Sequence, residues 1–155
     1  MPSPNTPDSL TFMSQNDTLG SITPSQLEDL RQRALAVAGN AYAPYSHFRV
    51  GAALLLENGN LVTGCNVENA SYRLTTCAEQ AAIAAAVALH GPALRLRAVV
   101  IVNLNDAASQ PCGACRQTIH EFSTPSTEIF FPAADGSLTR STIPDLLPSA
   151  FRLTN

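Results

Sequence analysis

Two short cysteine segments constrain this chain more than anything else in it: Cys77-Ala78-Glu79 at the head of an alanine-rich stretch, and Pro111-Cys112-Gly113-Ala114-Cys115 downstream. A fold that uses them together must bring sulfurs from two distant segments to one point. Residues 77–89, CAEQAAIAAAVAL, are almost all strong helix formers with Gly91 and Pro92 just past them as stop signals, so Cys77 is expected at a helix start. The CxxC at Cys112 and Cys115 runs into RQTIHEF, also helix-compatible, with Pro111 in the loop before it. Both sulfur groups then face the positive ends of helix dipoles, where a thiol's pKa falls and the thiolate, the form that binds metal, is favoured. Glu79 lies in the same first turn as Cys77 and need not point at a metal. Three thiolates and a spare carboxylate are the parts needed to hold a zinc ion with an open position and to move protons beside it.

The same residues admit two other readings. CGAC at a helix start also suits a thioredoxin-like redox pair. Alternatively, Cys65 completes a four-sulfur structural zinc set with Cys77, Cys112 and Cys115. Cys65, however, sits in Leu61-Val62-Thr63-Gly64-Cys65-Asn66, which reads as a strand and gives it the role of a buried strand cysteine.

Composition narrows the function class. A chain of 155 residues suits one domain with a real core, and 45% hydrophobic with 14% charged residues is typical of a soluble globule. A formal net charge of −3 leaves no electrostatic footprint for nucleic acid, which favours a small substrate. Four cysteines, three of them claimed by a metal, imply a reducing compartment and no disulfide framework. Neither a signal peptide nor a membrane-length apolar run is evident, so a cytoplasmic protein is expected.

Along the chain, residues 1–22 are rich in Pro, Ser, Asn and Thr and read as a disordered leader, with 23–155 a single domain. Thr23-Pro24-Ser25-Gln26 predicts a capped helix from Pro24 to about Asn40, burying Leu27, Leu30, Ala34, Val37 and Ala41. Phe48–Leu56 and Leu61–Asn66 flank Asn58-Gly59 and predict a hairpin. After the Cys77 helix, Arg97–Asn103 is an apolar run suited to a central strand. A strand over Glu128–Pro132, a short one near Leu138, and a small helix over Ile143–Leu147 complete the series. That order predicts a mixed sheet between helices, with the two cysteine-bearing helices side by side on one face and their N-termini meeting at the metal.

These residues carry a family resemblance. Tyr42–Ser71, reading YAPYSHFRVGAALLLENGNLVTGCNVENAS, then CAE, PCGACRQ and finally LLPSAF ending at Phe151, resemble the small homotetrameric cytidine deaminases of the zinc-dependent cytidine and deoxycytidylate deaminase superfamily. The likeness spans roughly residues 24–151, with several motifs in the family's order. It implies an α/β fold, a three-layer α-β-α sandwich around a mixed five-stranded sheet. It also implies hydrolytic deamination of cytidine and deoxycytidine, in pyrimidine salvage, with one zinc per subunit on Cys77, Cys112 and Cys115 and Glu79 as catalytic proton carrier.

The resemblance implies substrate contacts as well. Asn66 and Glu68 match the pair that hydrogen-bonds the ribose 3′-hydroxyl, Phe48 would pack on the substrate, and the backbone around Ala78 matches the contact to the pyrimidine's polar edge. Phe151 matches an aromatic that stacks on the base in a neighbouring subunit's site, and Tyr72 an intersubunit contact near the ribose. A homotetramer with shared active sites follows from the likeness. Each residue also has an ordinary explanation: turn chemistry for Asn66 and Glu68, a core aromatic for Phe48.

One residue departs from the family pattern. Where it usually reads CAER, this chain has Gln80. Three thiolates on one divalent zinc leave the centre at a net charge of minus one, which an arginine would offset and a neutral amide does not. Gln80 is expected to donate to a cysteine sulfur, with the helix termini carrying most of the compensation and Arg116 a second candidate donor. Arg73, beside Tyr72, leaves room for a modified pyrimidine nucleoside. A phosphorylated substrate is not favoured, because no phosphate-cradling glycine loop or basic cluster is present.

Overall fold

The computed structural model describes residues 20–153. Five strands form one mixed sheet in the order β2-β1-β3-β4-β5. They are β1 (Val50–Leu56), β2 (Leu61–Cys65), β3 (Leu96–Asn103), β4 (Ser123–Pro132) and β5 (Leu138–Ser141). The helices are α1 (Pro24–Ala38), α2 (Ala78–His90), α3 (Gly113–Phe122) and the single turn α4 (Ile143–Leu146), with a 3-10 turn over Tyr72–Leu74. β3 and β4 run parallel, connected through α3, and every other neighbouring pair is antiparallel.

Strand alternation sorts the core into two halves. Ala53 and Leu55 of β1 with Ala98, Val100 and Val102 of β3 pack against Leu30 and Ala34 of α1. Ala52, Leu54 and Leu56 with Val99 and Ile101 face the other way, against Ala82, Ile83 and Ala86 of α2 and Ile119 of α3. Burying one such Leu or Ile contributes roughly 1.5–3 kcal/mol, so both faces need their helices. The three-layer sandwich and five-stranded mixed sheet expected from the sequence are what the chain forms.

Two glycines set how closely the helices sit. A Cβ on Gly51 would lie 2.0 Å from the Ala34 carbonyl oxygen, and one on Gly64 would lie 2.3 Å from the Ala82 nitrogen. α1 and α2 therefore rest directly on strand backbone.

Several boundaries shift from expectation. α1 ends at Ala38 and not near Asn40, because the Gly39 N–H closes the helix onto the carbonyls of Ala36 and Val37. Its fully buried face is Leu30, Ala34 and Ala38, while Val37 and Ala41 are half-buried. β1 starts at Val50 and not Phe48. Here the Asn66 side chain takes over the ladder, its Oδ1 accepting from the Val50 N–H at 2.8 Å and its Nδ2 donating to the Phe48 carbonyl at 2.9 Å. β4 starts five residues earlier than read, directly after α3. The hairpin turn is as expected, with Gly59 at φ 86°.

The leader expected over 1–22 lies outside the described residues as far as residue 19. Ile22 is part of the folded domain: its side chain is buried beneath α1, and its N–H donates to the buried Glu128 carboxylate at 2.7 Å. No described helix is long and apolar enough to cross a membrane.

Candidate active site

The two cysteine segments meet at the N-termini of α2 and α3. Cys77 is the N-cap of α2, extended at φ −71° and ψ 156°, and Cys112 is the N-cap of α3 at φ −64° and ψ 165°. Cys115 follows in the first turn of α3 and is fully buried. The Cys112 sulfur accepts the Cys115 N–H at 3.4 Å, so it caps its own helix while facing the other two sulfurs. All three Sγ atoms lie within 4.8 Å of one another, and Cys77 and Cys112 are 4.0 Å apart.

That triangle fits zinc. Zinc–sulfur bonds of 2.3 Å at tetrahedral angles place sulfurs roughly 3.8 Å apart. The electrostatics agree. A hydrogen bond from the Cys115 thiol brings the Cys77 pKa down to about 7, against burial and the Glu79 charge. Cys115, donating that bond while buried and facing Glu79, is pushed far above the ordinary thiol range. Three thiols crowded this closely cannot all ionise without a cation among them, and a divalent metal is what lets them. Cys65, at the end of β2, is half-buried and outside the cluster, so the four-sulfur arrangement does not form.

Glu79 is buried in the first turn of α2, 5% exposed. Burial raises its pKa, opposed by hydrogen bonds from its own backbone N–H and from the Cys115 thiol. Burial thus favours the protonated carboxyl more than in an exposed glutamate. Gly64 is what lets α2 lie where Glu79 and Cys77 reach the cluster.

A solvent-open cavity of about 180 Å³ lies over this group. Of the residues singled out in the sequence, Phe48, Asn66, Cys77, Ala78, Glu79 and Cys112 line it. Cys115, Gln80, Glu68, Tyr72 and Phe151 do not. The Glu68 carboxylate accepts the Tyr45 N–H at 2.9 Å, the Ser46 N–H at 3.2 Å and the Ser46 hydroxyl, which together hold its pKa below the usual range. Tyr72 is 78% exposed and meets Tyr45 edge to face, and Phe151 is 68% exposed.

The lining also includes Val50, Thr75, Ile101, Ser109 and Gln110, none of which the sequence reading named. Thr75 stands two residues before Cys77 and Gln110 next to Pro111, and that adjacency was the available signal. Asn103, which closes β3, shapes the loop to Ser109: its Nδ2 donates to the Ala107 carbonyl at 2.7 Å and the Ser109 hydroxyl at 3.0 Å.

Gln80 makes no hydrogen bond to a sulfur, contrary to expectation. The Cys112 sulfur takes the backbone N–H of Cys115 instead. Arg116 does not reach them either. Its guanidinium is spent on the Pro111 carbonyl at 2.8 Å, the Leu146 carbonyl at 2.9 Å and Gln110 Oε1 at 2.9 Å, bracing the loop that presents Cys112.

Residues 24–131 match the family described as cytidine and deoxycytidylate deaminase zinc-binding region. A cytidine deaminase of Mycobacterium tuberculosis is 44% identical over 124 residues, covering 80% of this chain and 88% of that protein. One of Sporosarcina psychrophila is 42% identical over 111 residues, covering 72% and 80%. The crystal structure of cytidine deaminase from Burkholderia pseudomallei aligns with a TM-score of 0.73 at 40% identity, covering 84% of this chain and 100% of that one. That from Mycobacterium tuberculosis aligns at 0.70 and 42%, covering 81% and 97%.

Proposed function

We propose that this chain, which belongs to the cytidine and deoxycytidylate deaminase zinc-binding family, hydrolyses cytidine and deoxycytidine to uridine and deoxyuridine with release of ammonia. The observation that carries this reading is the buried Glu79 carboxylate beside three converging sulfurs, with Glu79, Cys77 and Cys112 on the wall of one cavity and Cys115 buried behind them.

Zinc, held by Cys77, Cys112 and Cys115, supplies the Lewis acidity that lets water give up a proton near neutral pH. Glu79 accepts that proton and passes it to ring nitrogen 3, which makes carbon 4 electrophilic. The water oxygen bonds to carbon 4, Glu79 carries that oxygen's remaining proton to the exocyclic amine, and the carbon 4–nitrogen bond breaks, so water and cytidine become uridine and ammonia. A carboxylate serving as base and then acid needs a pKa near the working pH, and the upward push from burial supports this role.

Asn66 is the proposed sugar contact within the cavity. Bridging Phe48 and Val50 uses one donor and one acceptor of its amide, which leaves one of each for a hydroxyl. A site built to pair a hydroxyl discriminates against analogues lacking it. Phe48 offers an apolar wall, and the Ala78 backbone at the start of α2 faces the pyrimidine's polar edge. Glu68 holds the Tyr45–Ser46 turn and is the second proposed sugar contact.

The exposed Tyr42, Tyr45, Tyr72, Leu74 and Phe151 support an assembly of subunits, here a homotetramer in which Tyr72 and Phe151 complete a neighbour's site. Free cysteines support a reducing, cytoplasmic setting and a place in pyrimidine salvage.

Incubation with cytidine, deoxycytidine and cytidine monophosphate, followed by ultraviolet absorbance with and without a zinc chelator, tests the reading. Chelator-sensitive loss of the cytosine spectrum with both nucleosides is expected. Turnover of the monophosphate alone would replace the nucleoside assignment and bring in the exposed Arg73.

A further inference from the structure

α3 carries two of the metal ligands at its N-terminus, and the same helix grips the end of the chain. The Arg116 guanidinium donates to the Leu146 carbonyl at 2.9 Å, at the end of α4. One residue further on, Gln117 Nε2 donates to the Phe151 carbonyl at 3.2 Å. Arg152 reaches back to the other end of α3, donating to the Ser123 carbonyl at 2.8 Å and to the His120 carbonyl. Those two carbonyls lie at the C-terminus of α3, in its last turn and at its C-cap, where the helix dipole favours a cation. The Phe151 backbone is thus tied down on both sides while the residue remains 68% exposed and does not line its own cavity.

We propose that Gln117 and Arg152 are positioning residues for Phe151, clamping its backbone to α3 so that the ring projects in one fixed direction toward a neighbouring subunit's site. The proposal rests on the reading of Phe151 as a residue that completes a partner's cavity. An unclamped C-terminal segment would sample many orientations, and the ordering cost would be met each time substrate bound. With Cys112 and Cys115 at one end of α3 and the clamp along the rest, one rigid element fixes the offset between a subunit's own metal ligands and the aromatic it lends.

The test is a double-mutant cycle on the zinc-loaded, assembled enzyme, with Arg152→Ala, Gln117→Leu and Phe151→Ala measured singly and in pairs. Loss of an aromatic that stacks on a base raises KM for cytidine roughly 5- to 100-fold, and loss of a clamp residue is expected to raise it about 3- to 10-fold with kcat little changed. Arg152→Lys, which keeps the charge and one donor, should recover part of that. In the Phe151→Ala background, Arg152→Ala should add nothing further, because there is no ring left to aim. A clamp variant that raises KM by the same factor with or without Phe151 overturns the proposal, as does one that leaves KM unchanged while Phe151→Ala raises it. If Phe151→Ala itself leaves KM unchanged in the intact assembly, the reading of Phe151 fails first and takes the clamp with it.

Discussion

The sulfurs of Cys77 and Cys112 stand 4.0 Å apart across 35 residues of chain, each as the N-cap of its own helix. Cys115 closes the triangle, and Cys65 lies outside it. Cys65→Ala is accordingly expected to leave one zinc per subunit and activity intact, whereas Cys112→Ala loses both. Elemental analysis with an activity assay checks this; loss of the metal in Cys65→Ala would restore the four-sulfur arrangement.

Glu79 is the proposed proton carrier and lies outside the sulfur cluster. Glu79→Gln keeps the shape and the zinc but cannot take up or deliver the proton, so kcat should fall by at least about 100- to 10,000-fold with metal content unchanged. Retained turnover in a zinc-loaded Glu79→Gln protein would remove Glu79 from the mechanism.

Neither Gln80 nor Arg116 hydrogen-bonds a sulfur, so with three thiolates on one divalent ion the two helix termini are the proposed source of charge compensation. Gln80→Arg adds positive charge beside them. The zinc centre then becomes a stronger acid, and the acidic limb of the kcat/KM profile should move to lower pH. An acidic limb at the same pH in both proteins contradicts this account of the charge.

Gly64 lets α2 sit on β2, with a would-be Cβ only 2.3 Å from the Ala82 nitrogen. The neighbour is helix backbone and cannot swing aside. Gly64→Ala is expected to cost about 1–3 kcal/mol or more and lower Tm by several degrees. Activity should fall more than stability alone explains, because α2 carries Cys77 and Glu79. Unchanged thermal denaturation and kinetics would show that the helix has slack the packing does not reveal.

Glu68 anchors the Tyr45–Ser46 turn through the Ser46 hydroxyl and two backbone N–H groups, which hold its pKa below the ordinary carboxylate value. A carboxyl whose folded pKa is depressed stabilises the fold fully above its unfolded pKa of about 4.3, and that contribution disappears as pH falls through the lower folded value. The Tm difference between the wild-type protein and Glu68→Gln should therefore be largest near neutral pH and shrink in acid. A difference independent of pH would assign the anchor to shape and not to charge.

Much of this was legible in the residues. Helix starts at Cys77 and Cys112, the Asn58-Gly59 turn and the apolar run of β3 are local signals: capping, left-handed backbone and unbroken hydrophobicity act within a few residues. The convergence of Cys77, Cys112 and Cys115 was readable because thiol chemistry at two helix starts narrows what those residues can do together. The start of β1 was not, because its first ladder bonds come from the side chain of Asn66, sixteen positions away.

What the linear chain determined by itself was therefore chemical identity and local conformation: which groups can bind metal, where helices begin, which residues seek the core. Tertiary structure alone decided proximity and direction. It excluded Cys65 from the sulfur cluster, brought Thr75, Ser109 and Gln110 to the cavity wall, spent Arg116 on carbonyls and not sulfurs, and left Phe151 exposed and off its own cavity wall. The physical reason is that propensity and capping act over a few residues, whereas the position of a side chain depends on strand register, helix approach and hydrogen bonds closed between segments far apart in the chain.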